Sequence, residues 1–252
     1  MKYGYGNSPA GFIFTRVLAA FALVLILPAV FLATTTAQEP SQPANVPKLE
    51  DVLAGMDKSA AGFTSVAANL EYTKVTVIVN DRFTQTGKIF FEKSGGKTRV
   101  MIGFTQPAEK YVLFANGKVN LYQPKIAEVD EYELSQRQDL VEQFLLLGFG
   151  TSGAELQKAY QISWKGAESV AGQLSYLLDL TPKSPKVAAQ LQRIQLWISP
   201  QSWEPIQQKF FEAGGDYVIS RYSNMKLNSK IPDKEFRLPL RGKVRTVKPQ
   251  AP

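Results

Sequence analysis

Residues 87–124 read GKIFFEKSGGKTRVMIGFTQPAEKYVLFANGKVNLYQP, a stretch in which apolar runs are broken every few residues by turn-forming residues. Chain punctuated in this way folds as consecutive antiparallel strands. Strands are predicted at 87–93, 98–104, 111–115 and 118–122. Ser94-Gly95-Gly96 supplies the first turn, and Thr105-Gln106-Pro107 a corner. Asn116-Gly117 supplies a hairpin, since a type I′ turn needs positive φ at both central residues. Val100, Ile102 and Phe104 recur at period two, with Arg99 on the other face. A meander of this kind has one apolar face, which a second layer must cover.

Composition narrows the chemistry. The 252 residues contain no Cys and no His, which removes thiol nucleophiles, disulfides, Cys/His zinc sites and the commonest general base. The net charge of +7 falls to +5 without Lys2 and Arg16, and Lys and Arg alternate with acids along most strands. No basic run gathers into a nucleic-acid footprint, so no nucleic acid is expected as a partner.

Residues 1–37 have the pattern of a secretory signal peptide. Arg16 precedes the apolar run 17–33, and Thr35-Thr36-Ala37 offers small residues for cleavage near Ala37. The alternative is an uncleaved membrane anchor, because the run approaches the length of a spanning helix. Residues 38–47, with three Pro, read as a flexible leader, and 48–240 as a single domain. Leu49, Val52, Leu53 and Met56 give 48–61 a helical stripe. Residues 63–79 turn to β, with Val75, Val77 and Val79 on one face. A strand at 126–134, a helix at 136–147 and a short helix at 154–159 follow. Strands are then predicted at 161–165, 174–180, 193–199, 205–212 and 217–222. Ile194, Leu196 and Ile198 share one face there and Trp197 takes the other, while residues 241–252 form a basic tail expected to fray.

Two motifs invite catalytic readings that their setting does not support. Gly148-Phe149-Gly150-Thr151-Ser152-Gly153 matches the dinucleotide fingerprint, which requires a parallel βαβ unit, whereas this chain is hairpin-rich. Ser94-Gly95-Gly96-Lys97 matches S-x-x-K, but two Gly make the necessary helical turn costly. Asp130, Glu131 and Glu133 read as a solvated edge. No catalytic residue, cofactor or metal ligand is assigned, and the chain is read as a non-enzyme.

The order of the signal segment, the amphipathic helix and the motifs Gly87-x-Ile89-Phe90-Phe91, Thr105-Gln106-Pro107, Asn116-Gly117-Lys118 and Tyr122-x-Pro124 resembles the periplasmic lipoprotein carrier LolA and its relatives. Leu180-Thr181-Pro182, Ile194-x-Leu196-x-Ile198 and Ile231-Pro232 with Phe236 extend the resemblance over nearly the whole exported chain. It implies a mainly β fold with helices (α+β), a curved, incompletely closed antiparallel β-barrel whose concave apolar face is covered by a few helices. It also implies a monomeric periplasmic chaperone, which takes acylated lipoproteins from an inner-membrane lipoprotein-releasing transporter and passes them to an outer-membrane acceptor. The alternative within the same fold is a sensor that recognises lipoprotein or lipid in envelope-stress regulation. Under the carrier reading Phe90, Val100, Ile102, Val112, Phe114, Leu121, Trp197 and Phe210 would line the acyl-chain cavity, and Leu140, Phe144 and Leu147 would belong to a lid. Characterised carriers hold that lid through an Arg whose matching position is Lys93, and Lys cannot make the same forked contacts.

Overall fold

The computed structural model describes residues 46–134 and 147–249. Helix α1 (Leu49–Gly62) precedes β1 (Ser65–Thr76), β2 (Asp81–Ser94), β3 (Lys97–Gln106), β4 (Lys110–Ala115) and β5 (Lys118–Gln123). A 3-10 turn, Pro124–Ile126, leads into β6 (Glu128–Glu133). After α2 (Gly153–Ala159) come β7 (Tyr160–Val170), β8 (Gln173–Pro182), α3 (Pro185–Ala188), β9 (Leu191–Ile198), β10 (Pro205–Glu212), β11 (Tyr217–Leu227), a 3-10 turn at Asp233–Phe236, and β12 (Arg245–Val247). The strands form one open, curved sheet in the order β12-β6-β5-β4-β3-β2-β1-β11-β10-β9-β8-β7. Every pairing is antiparallel except that of β12 with β6.

The predicted turns sit where their chemistry requires. Asn116 and Gly117 have φ of 53° and 71°, joining β4 to β5 through the Ala115–Lys118 pair. The strand predicted to run to Val79 ends earlier. Val77, Ile78 and Val79 occupy a turn closed by Asn80 N–H donating to the Val77 carbonyl, and are 50%, 88% and 69% exposed. Alternation of β-branched residues therefore continues past the last paired position, and only Val75 of the expected row is buried.

Cross-strand partners share a face, so the pairings divide the sheet unambiguously. One face carries Leu70, Ile89, Phe91, Val100, Phe104, Phe114 and Tyr222 in one buried cluster, with Phe63 stacked on Phe91 at 5.4 Å. It continues across β8–β10 as Leu178, Leu180, Ile194, Leu196 and Ile198, where Val52, Leu53 and Met56 of α1 and Leu156 of α2 cover it. We refer to this as the helix-covered face. The capping box of α2, in which Glu155 N–H donates to Ser152 Oγ and Ser152 N–H to the Glu155 carboxylate, fixes where that helix begins.

The opposite face is covered by the chain's own C-terminal strap. Ile231 and Phe236 pack on Met101, flanked by Phe90, Tyr111, Leu113 and Leu238. Arg99 ties the strap down, bonding Glu92 and Asp233 while its guanidinium lies 4.2 Å from the Phe236 ring. The basic tail, expected to fray, is instead paired through Val247. Arg245, Thr246 and Val247 align with Glu128, Val129 and Asp130, Arg245 pairs with Glu128, and Lys248 reaches Glu131 at 3.4 Å. Lys248 thus meets Glu131, one of the acids expected on a solvated edge, while Arg245 meets Glu128.

Candidate functional site

The candidate site is the part of the helix-covered face nearest β5. Ile89, Ile102, Val112 and Leu121 are successive cross-strand partners, forming an aliphatic row from β2 to β5. Beside it run Phe91, Val100, Phe114 and Val119. Burial divides the two rows only between their ends, since Ile89 is itself buried and Val119 is half-buried. Phe91, Val100 and Phe114 are closed off at 1–2% exposure, whereas Ile102, Val112 and Leu121 are half-buried. These three residues leave apolar surface half-open beside the closed core.

Of the eight residues predicted to line one cavity, six share this face: Val100, Ile102, Val112, Phe114 and Leu121 at one end, and, apart from them, Phe210 on β10 opposite Ile194. Phe90 and Trp197 belong to the other face. Phe90 is the partner of Met101, between Ile89 and Phe91, and lines a separate cleft of about 900 Å³ beneath the strap with Met101, Tyr111 and Arg237. Trp197, between Leu196 and Ile198, packs with Val170, Leu177 and Ile206 and donates its indole N–H to Glu168. Period-two parity excludes both from the site.

Leu140 and Phe144 lie outside the described residues. Leu147 is buried in the cluster beneath α1, and its carbonyl accepts from the Gln208 amide, whose own oxygen accepts from Tyr222 Oη at 2.9 Å. Lys93 is exposed. The Glu155 carboxyl is held below the ordinary range first by the Ser152 backbone N–H, with Lys93 adding attraction.

The glycine-rich segment that matched the nucleotide fingerprint is a packed turn. Gly150 has φ of 57°, and a Cβ there would run into the Phe63 ring. Phe149 meets Tyr222 edge-on at 4.8 Å. Beneath the turn lies Glu204, only 1% exposed, accepting from Ser59 Oγ at 2.7 Å and from Gly150 N–H at 3.0 Å. Burial pushes its carboxyl up to about 7, against the pull of these two donors. Gly150→Ala is expected to cost about 2 kcal/mol, from left-handed strain plus overpacking of Phe63, as a lowered urea midpoint would show.

Glu204 was not foreseen, because nothing in Gln201-Ser202-Trp203-Glu204 distinguishes a buried acid from a surface one. Lys110 was readable but overlooked. It lies two and four residues before Val112 and Phe114, so strand parity puts it on their face. Among the described residues no group of acidic side chains is placed to hold a metal ion, and no helix is long and apolar enough to cross a membrane.

A family model described as outer membrane lipoprotein carrier protein LolA matches residues 71–239. No curated protein sequence matches the chain. Among solved structures it is similar to a chain of the Pseudomonas aeruginosa MucA/MucB complex (TM-score 0.45, 13% identity, 75% of this chain and 61% of that one). It is also similar to a LolA superfamily protein from Nitrosomonas europaea (0.37, 16%, 75% and 97%) and to the Mycobacterium tuberculosis lipoprotein LppX (0.46, 11%, 73% and 99%). The chain spans 60–62% of the chains it matches in the MucB and MucA/MucB structures.

Proposed function

Because the chain belongs to the LolA family of outer membrane lipoprotein carrier proteins, we propose that it is an exported, non-enzymatic carrier that shelters acyl chains on the helix-covered face of its sheet. Residues 1–37 are removed on export to the periplasm, 38–47 serve as a leader, and 48–240 are the carrier domain. The cargo is an acylated lipoprotein, received from an inner-membrane releasing transporter and passed to an outer-membrane acceptor.

One observation carries this reading. The row Ile102, Val112 and Leu121 continues the buried core outward on one face while remaining half-buried. Each methylene laid against such a surface gains about 0.8 kcal/mol relative to water. A chain of a dozen or more carbons thereby gains enough to stay out of water between membranes, and no covalent step is needed.

The test is recovery of cargo. The full chain is expressed with its own leader in a Gram-negative host, purified from the periplasm without detergent, and its organic extract analysed by mass spectrometry. The expected result is acyl-bearing lipid or lipoprotein in near-stoichiometric amount. Repeated recovery of dry protein would overturn the proposal, and co-purification of one regulatory membrane protein without lipid would favour the sensor alternative.

A further inference from the structure

Among the described residues, Lys110 is a cation of the helix-covered face without a carboxylate partner. Lys110, at the start of β4, is half-buried, with its ammonium 4.9 Å from the Phe104 ring and donating to the Gln85 side-chain oxygen at 3.1 Å. Both neighbours are closed in: Gln85 is buried, and Phe104 meets Tyr72 edge-on at 5.8 Å. Charges nearby are committed elsewhere. Lys74 is paired with Glu212 at 2.5 Å and Asp216 at 3.7 Å, and Glu109 is paired with Arg241 at 3.2 Å. Among the described residues no carboxylate reaches Lys110 within ion-pair distance.

A half-buried ammonium served, among the described residues, by an amide oxygen and a π-face has lost part of its hydration without gaining a counter-charge from them. Loss of hydration alone lowers its proton affinity. Such a group gains most from an anion that approaches along the same surface. Val112 stands two residues further along the strand, about 7 Å away, within the aliphatic row. Lys110 thus sits within a headgroup's reach of surface suited to a hydrocarbon tail.

We propose that Lys110, backed by Gln85 and Phe104, is the headgroup anchor of this face, and that the preferred ligand is an amphiphile whose polar end carries a phosphate or carboxylate. This rests on the acyl-carrying reading and adds to it a selection by charge. Lys74 could not serve in its place, since its own acids already neutralise it.

Titration calorimetry of the full mature chain with dodecyl phosphate, with dodecanol, and with inorganic phosphate alone tests the proposal. One charge-assisted contact corresponds to about a tenfold preference for dodecyl phosphate over dodecanol. Lys110→Met, which keeps the stem over Phe104, is expected to erase that preference while leaving dodecanol binding unchanged. Lys110→Arg is expected to keep it, and guards against reading a folding defect as loss of recognition. An undiminished preference in Lys110→Met would overturn the anchor and leave the carrier reading standing, as would inorganic phosphate binding as tightly as dodecyl phosphate. Binding of neither amphiphile would overturn both.

Discussion

Glu204→Gln is expected to raise the stability of the protein by about 3 kcal/mol at pH 8 and to flatten its dependence on pH between roughly 5 and 8. In the folded state the carboxyl titrates near 7, above its ordinary 4.5, because burial disfavours the anion more than Ser59 and Gly150 favour it. The folded state therefore holds a proton that the unfolded chain has already released. The associated stability is complete below about 4.5 and is lost as pH rises through about 7. No His titrates within that window. Gln keeps an oxygen for Gly150 N–H and offers an amide to Ser59 Oγ, so the bonds survive and only the buried charge goes. Glu204→Ala should have the opposite sign, costing about 2–4 kcal/mol, because it leaves a cavity and the Gly150 N–H without an acceptor, while Ser59 Oγ keeps the Ser202 carbonyl. Urea midpoints at pH 5, 6.5 and 8 decide the matter. A wild-type midpoint that does not fall over that range, or a Gln variant less stable at pH 8, would show that the carboxyl is not carrying a buried charge.

What makes Glu204 consequential also makes it unreadable beforehand. Its burial is created by α1, the Gly148–Gly150 turn and the β9–β10 connection meeting over it, parts separated by up to 145 residues in the chain. Local pattern carries no trace of such a meeting. Turn chemistry is different, because Asn116-Gly117 and Gly95-Gly96 decide their own backbone angles. For that reason the turns and strands from Ser94 to Gln123 were legible closely, whereas β2 begins at Asp81, well before the predicted Gly87. Faces were legible wherever alternation was kept. Grouping Phe90 with Val100 mixed the two parities, and the β2–β3 register settles it: Phe91, not Phe90, opposes Val100. Val77 and Val79 failed for another reason, since a period-two pattern tells which way a side chain would face but not whether a neighbouring strand is there to meet it. The tail's docking depended on charges over a hundred residues apart, Arg245 with Glu128, which no window along the chain brings together.

The same parity gives a sharp functional test on adjacent strands. Val112→Asp is expected to lower acyl-lipid recovery more than tenfold with the sheet still folded, whereas Asn120→Asp, which adds the same charge on the opposite face, should leave recovery unchanged. Val112 lies between Ile102 and Leu121 in the aliphatic row, and Asn120 is the partner of Leu113, which packs toward the strap. A carboxylate at 112 must be desolvated each time hydrocarbon is laid across it, a penalty of several kcal/mol that neither Ile102 nor Leu121 can offset. Because Val112 is half-buried rather than sealed, water can solvate the new charge when the face is empty. The empty protein should therefore lose less stability than it would for the same change at fully buried Val100. Near-ultraviolet circular dichroism would verify that the fold persists, and lipid per mole of protein would be read from mass spectrometry of the extract. Equal loss in both variants would point to a general effect of net charge on docking to membranes. Equal retention in both would remove the β3–β5 end of the helix-covered face from the cargo path and shift attention to the stretch around Phe210.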